Sequence, residues 1–246
     1  MENSTIKNEE VSTQEAFLDK RVQRRSFLKY AGAGAAGIAL VAAGCKQSNF
    51  NPDDPENGFG GSKTVSLGSG DVGILNYAYA LEQLEAAFYI QVIATPFSGM
   101  TAVETALLTD IRDHEIAHRE FFKAAIPANG GTAIPGLQVN FSKINFADRA
   151  SVLGTARAFE DLGVSAYDGA GYLLKNETFL LLAGKIVSVE ARHAALIREL
   201  LEPNSFLGDQ VDATTSVNIA RTPAQVLAIA GEYIKTKIDA SSLPTS

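Results

Sequence analysis

A single cysteine, Cys45, leaves the chain unable to form an intramolecular disulfide, so its fold must hold by packing alone. Long hydrophobic runs are also missing. The most apolar stretch, from Ala31 to Ala43, is Gly/Ala-rich and too short and weakly hydrophobic for a stable membrane span. Basic residues are scarce as well: beyond residue 44 the chain carries 23 acidic and 15 basic residues, net −8, which argues against a nucleic-acid partner. No segment alternates convincingly as a strand, and there are only three histidines. What remains, at 246 residues and 46% hydrophobic, is enough to bury a sizeable helical core.

Residues 1–44 read as an export signal. Gln23-Arg24-Arg25-Ser26-Phe27-Leu28-Lys29 resembles the twin-arginine consensus and precedes the Ala31–Ala43 stretch. Cys45 follows Val41-Ala42-Ala43-Gly44, which looks like a bacterial lipoprotein cleavage site, with Ala42 in place of the usual leucine and ordinary cleavage after Ala43 as the alternative. The expected location is therefore periplasmic or cell-envelope, with membrane attachment only through a lipid on Cys45. Residues 45–70, rich in Asn, Asp, Pro, Gly and Ser, read as a flexible linker.

Four long helical patterns occupy 71–201. The first runs from an N-cap at Asp71 to about Ala94, and the second from the Thr101–Glu104 capping box to about Ala125. The third runs from about Ala147 to Lys175, and the fourth from Glu177, capped by Asn176, to Leu201. Thr222-Pro223 opens a short fifth helix, to about Lys237, inside a C-terminal extension over 202–246. About 20 residues separate the second and third helices, far more than an ordinary helix–helix loop. Such a connector can travel the length of a bundle, as in all-α four-helix folds with one long crossover.

One phrase is written twice. Leu81-Glu82-Gln83-Leu84-Glu85-Ala86-Ala87-Phe88-Tyr89 corresponds to Phe159-Glu160-Asp161-Leu162-Gly163-Val164-Ser165-Ala166-Tyr167, and each copy is followed by a Glu-x-x-His, Glu115–His118 and Glu190–His193. The intervals, 33 positions from Glu82 to Glu115 and 30 from Glu160 to Glu190, make the repeat unit a helix pair. Residues three apart lie about 60° apart on a helix, so each Glu-x-x-His projects from one face. Leu81, Leu84, Phe88, Ile111, Val189 and Leu196 put those faces beside the apolar stripe. Buried carboxylates are costly unless compensated, and four of them with two imidazoles match the charge of two divalent cations. Oxygen with imidazole nitrogen suits iron or manganese better than zinc.

The two glutamate helices and two Glu-x-x-His helices resemble the ferritin-like superfamily, and Leu81–Tyr89 with Ala166-Tyr167-Asp168-Gly169-Ala170 looks like its desiccation-related branch. The resemblance implies a ferritin-like four-helix bundle whose metal ligands are Glu82, Glu115, His118, Glu160, Glu190 and His193. Glu85 is only a candidate alternate ligand, since its counterpart is Gly163, whereas Glu82 matches Glu160. Tyr89 and Tyr167 are candidates for hydrogen bonding to the glutamates, or for plain core residues. The implied chemistry is that of a dimetal redox protein acting on dioxygen or peroxide; a non-catalytic metal-binding or stress-protective bundle is the alternative, and an iron-storage shell fits the export signal less well. His114-Glu115-Ile116-Ala117-His118 also matches the zinc metallopeptidase signature. Against that stand Phe121, where the extended motif wants glycine, and Val189, where the second copy would need its own His114.

Overall fold

Helix α1 (Gly70–Ala94) is buried on nearly every side, which a helix with little polar surface requires. It pairs with α2 (Ala102–Ala128), and α3 (Arg149–Ala170) pairs with α4 (Glu177–Leu201); α1 and α3 also touch. The computed structural model describes residues 64–246. The expected export signal, Cys45 and residues 45–63 of the expected linker lie outside the described residues.

Local chemistry sets most helix ends. Thr101 and Glu104 form the reciprocal capping box, and Asn176 accepts from Thr178 N and Phe179 N. Asp71 is not the N-cap of α1. Ser69 occupies that place, and the Asp71 carboxylate instead accepts the backbone N–H groups of Lys175 and Asn176, both at 2.8 Å, tying α1 to the entry of α4. Helix α2 continues past the expected Ala125 to Ala128, because Pro127 falls in the last turn, where Asn129 N still reaches Ala125 O and Ile126 O.

The crossover from α2 to α3 is stitched along α1 by two amides. Asn76 Nδ2 donates to Leu67 O and Thr132 O while its Oδ1 accepts from Ile134 N; Gln83 Oε1 accepts from Leu137 N at 2.8 Å. Ile134, Leu137 and Ile144 of this segment are buried. Phe88, Phe141, Phe146 and Phe159 then pack together with mostly edge-to-face contacts.

Three expectations from periodicity need correction. Helix α3 starts at Arg149, capped by Asp148, and stops at Ala170 rather than Lys175, passing into one 3-10 turn over Gly171–Leu173. Helix α5 (Pro223–Ala230) stops well before Lys237, since Tyr233 O and Lys235 N pair with Asn140 N and Gln138 O of the crossover. A strand pair does exist: β1 (Val65–Ser66) lies parallel to β2 (Ile238–Asp239), each too short for alternation to reveal.

The end of α3 depends on glycine. A Cβ on Gly169 would lie 1.8 Å from the carbonyl oxygen of Arg221, whose own N–H is held by Ser165 O at 2.9 Å. Backbone on both sides leaves nothing flexible to yield. Gly169→Ala is therefore expected to lower stability by about 3 kcal/mol, measured by denaturant unfolding; a loss within ~0.5 kcal/mol would contradict the close approach.

Candidate metal centre

Each helix of the bundle delivers its part of the repeated pattern to one point. Glu82 comes from α1, Glu115 and His118 from α2, Glu160 from α3, and Glu190 and His193 from α4. All four glutamates are 0% exposed. Two overlapping groups form, Glu82–Glu115–His118–Glu190 and Glu115–Glu160–Glu190–His193, each able to hold a metal ion with donor atoms within 4.8 Å of one another.

The inner distances repeat across the two halves. His118 Nδ1 stands 3.4 Å from Glu82 Oε2, 3.8 Å from Glu115 Oε2 and 2.8 Å from Glu190 Oε1. His193 Nδ1 stands 3.4 Å from Glu160 Oε2, 3.7 Å from Glu190 Oε2 and 2.8 Å from Glu115 Oε1. Glu115 and Glu190 each send one oxygen to either half, whereas Glu82 and Glu160 serve one half each.

None of these inward atoms makes a hydrogen bond. Glu82 Oε2, Glu160 Oε2, both oxygens of Glu115 and Glu190, and Nδ1 of both histidines are buried without a partner. Buried polar atoms are ordinarily satisfied. Here they stand close but misaligned, because they point at common centres rather than at one another. Donor atoms at ~2.1 Å from a shared cation stand about 3.0–3.4 Å apart, close to the separations found. The residues present therefore fit a pair of cations.

The outer oxygens are held crosswise. Tyr167 donates to Glu82 Oε1 and Tyr89 to Glu160 Oε1, so each tyrosine serves the glutamate of the other copy. Sequence spacing placed each tyrosine on the stripe of its own glutamate; the two-fold relation between the copies was the signal for the exchange. Burial first, then the neighbouring glutamates, raise both phenols well above their ordinary value and keep them donors.

Burial alone would push His193 down, but Glu160, Glu115 and Glu190 carry it up to about 12; His118 is raised too, against its burial, by Glu115, Glu190 and Glu82. Burial, then the charge of Glu190, pushes Glu115 well up; burial acts the same way on Glu190, but the two histidines outweigh it and hold that carboxyl low.

Glu85 and His114 belong to neither group. Glu85 is buried beside Gly163: Glu85 Oε1 lies 3.1 Å, and Glu190 Oε2 3.7 Å, from where a Cβ on Gly163 would stand. Burial, then the charges of Glu115, Glu190, Glu160 and Glu82, raise its carboxyl well above the usual range. His114 is exposed and turns Nδ1 toward His193 Nε2, 2.9 Å away. A metallopeptidase would need His114 and His118 on the same ion. The contact with His193 was not foreseen, although a third histidine one turn before His118 was its trace in the sequence.

The family model for the ferritin-like domain matches residues 70–203. No curated protein matches the chain.

Proposed function

The chain belongs to the ferritin-like domain family, and from that premise we propose that it is an exported dimetal-carboxylate protein that reduces or consumes peroxide or dioxygen. The observation that carries this reading is the set of buried, partnerless donor atoms converging from four helices. Glu82, Glu115 and His118 would hold one ion and Glu160, Glu190 and His193 the other, with Glu115 and Glu190 reaching both. Iron or manganese in that setting supplies a shared two-electron exchange.

The chain's own part is positional. Tyr89 and Tyr167 occupy the outer oxygens of Glu160 and Glu82, which turns the remaining oxygen of each inward. Four carboxylates offset the charge of two divalent ions, so the loaded centre costs little to bury. Phe88, Ile111 and Leu84, on the same two helices as Glu82 and Glu115, are all nearly inaccessible to water. Glu85 is the candidate alternate ligand, since it is buried beside Glu190 and has no counterpart in the second copy.

Metal-loaded protein is expected to consume hydrogen peroxide or dioxygen in a stopped assay followed by an electrode. Consumption of neither, with two ions bound, would favour a non-catalytic stress-protective bundle, a reading supported by the complete burial of the four glutamates.

Export and lipid attachment are part of the same proposal, supported by Arg24-Arg25 and by the place of Cys45 after Gly44. The exporter for such signals carries folded proteins, so the ions can be loaded before release. Cys45→Ser is expected to move the protein from the membrane pellet to the soluble fraction in a bacterial host; an unchanged pellet would contradict lipidation at that residue.

A further inference from the structure

The two halves of the centre agree in their inner atoms and differ in their outer ones. His193 directs Nδ1 at Glu115, Glu160 and Glu190, and its other nitrogen, Nε2, meets His114 Nδ1 at 2.9 Å. The ring planes are within 14° of parallel and the centroids are 5.2 Å apart. That separation is roughly the N···N contact plus one ring radius at each end. The imidazoles therefore lie edge to edge, with the N–H of one in line with the lone pair of the other, rather than face over face.

His118 has no such support. Its Nδ1 faces Glu82, Glu115 and Glu190, and no further histidine is left to pair with its Nε2 as His114 pairs with His193. The repeat explains the difference: His114 stands four residues before His118, and the matching place before His193 is Val189. The one histidine outside the repeated pattern thus serves the ligand of the opposite helix.

Resting on the dimetal reading above, we propose that His114 is a positioning residue for His193, fixing the tautomer that offers Nδ1 to a metal ion and making the two half-sites unequal. An imidazole can give Nδ1 to a cation only when its proton sits on Nε2. His114 Nδ1 accepts that proton, which keeps the ring in place and raises the basicity of the inward nitrogen. The proton of His114 itself then sits on its own Nε2. An outer partner of this kind is worth about 10–100-fold in metal affinity. The His193 half-site has it and the His118 half-site does not.

The test is calorimetric titration of manganese(II), with a parallel oxygen-free run of iron(II), into the metal-free full chain and into His114→Ala and His114→Gln. The wild-type protein should bind two ions in two steps of different affinity. His114→Ala should weaken one step by about 10–100-fold, leave the other in place and keep the stoichiometry at two. His114→Gln, whose Oε1 can accept from His193 Nε2, should recover part of the loss. His114 is exposed, so these variants leave the core intact. Titrations of His114→Ala that match wild type, or that weaken both steps alike with Gln no better than Ala, would overturn the positioning role. Loss of both ions in His114→Ala would overturn it in favour of His114 as a direct ligand. Failure of the wild-type chain to bind either metal is a different result, one that removes the dimetal reading itself.

Discussion

Glu115→Ala is expected to empty the centre, taking the full-length protein from two metal ions per chain to fewer than one. The reason is its double reach: one oxygen stands 2.8 Å from His193 Nδ1 and the other 3.8 Å from His118 Nδ1, so both half-sites lose a donor together. Loss of an outer partner alone weakens metal binding about 10–100-fold, and loss of a donor shared by two ions should exceed ~100-fold. Glu190→Ala should match it, because Glu190 makes the mirror contacts. Glu82→Ala and Glu160→Ala touch one histidine each and should leave about one ion per chain. Metal content after dialysis, by mass spectrometry, checks the series. Equal losses from all four variants would contradict the division into two shared and two single carboxylates.

The second large effect is structural and lies away from the centre. Arg198, only 5% exposed near the end of α4, bonds the Asp161 carboxylate through Nε at 3.0 Å and Nη2 at 2.5 Å. Gly208 passes so close that a Cβ there would lie 1.7 Å from Arg198 Nη1, at a backbone φ of +55° that itself favours glycine. Arg198 therefore joins α3 to α4 and fixes the path of the C-terminal extension. Arg198→Ala should strand the Asp161 carboxylate and cost ~3 kcal/mol, a fall of roughly 6–12 °C in thermal midpoint for a chain of this size. Asp161→Leu combined with Arg198→Met should regain most of it, since an apolar pair of similar volume spares both charges their desolvation. A double variant as unstable as Arg198→Ala would mean that packing of the arginine stem, rather than the ion pair, holds the region.

The bundle and its centre were legible in the sequence for different reasons. Helices α2 to α4 announced themselves by one-sided apolar periodicity and by side-chain caps such as Thr101 and Asn176, which act within three residues of their targets; α1, buried on nearly every side and without a cap bond from Ser69, has neither mark. The six converging residues were legible because the pattern occurs twice. Asp71 has the local pattern of a cap, but its partners, Lys175 and Asn176, lie about 100 residues away, where no local rule reaches. The early ends of α3 and α5 have the same origin: Asp71 takes the N–H groups of Lys175 and Asn176, and the crossover pairs with Tyr233 and Lys235, where local propensity would have kept the backbone helical. Strands of two residues carry no period at all. The crosswise bonds of Tyr89 and Tyr167, and the contact of His114 with His193, required knowing how the two copies face each other.

Elemental analysis of the purified full-length protein tests the centre most directly. Two ions of iron, manganese or one of each per chain, lost together in Glu115→Ala, is the predicted result. A protein carrying no metal, or a single zinc ion that is lost in His114→Ala, would contradict a dimetal centre.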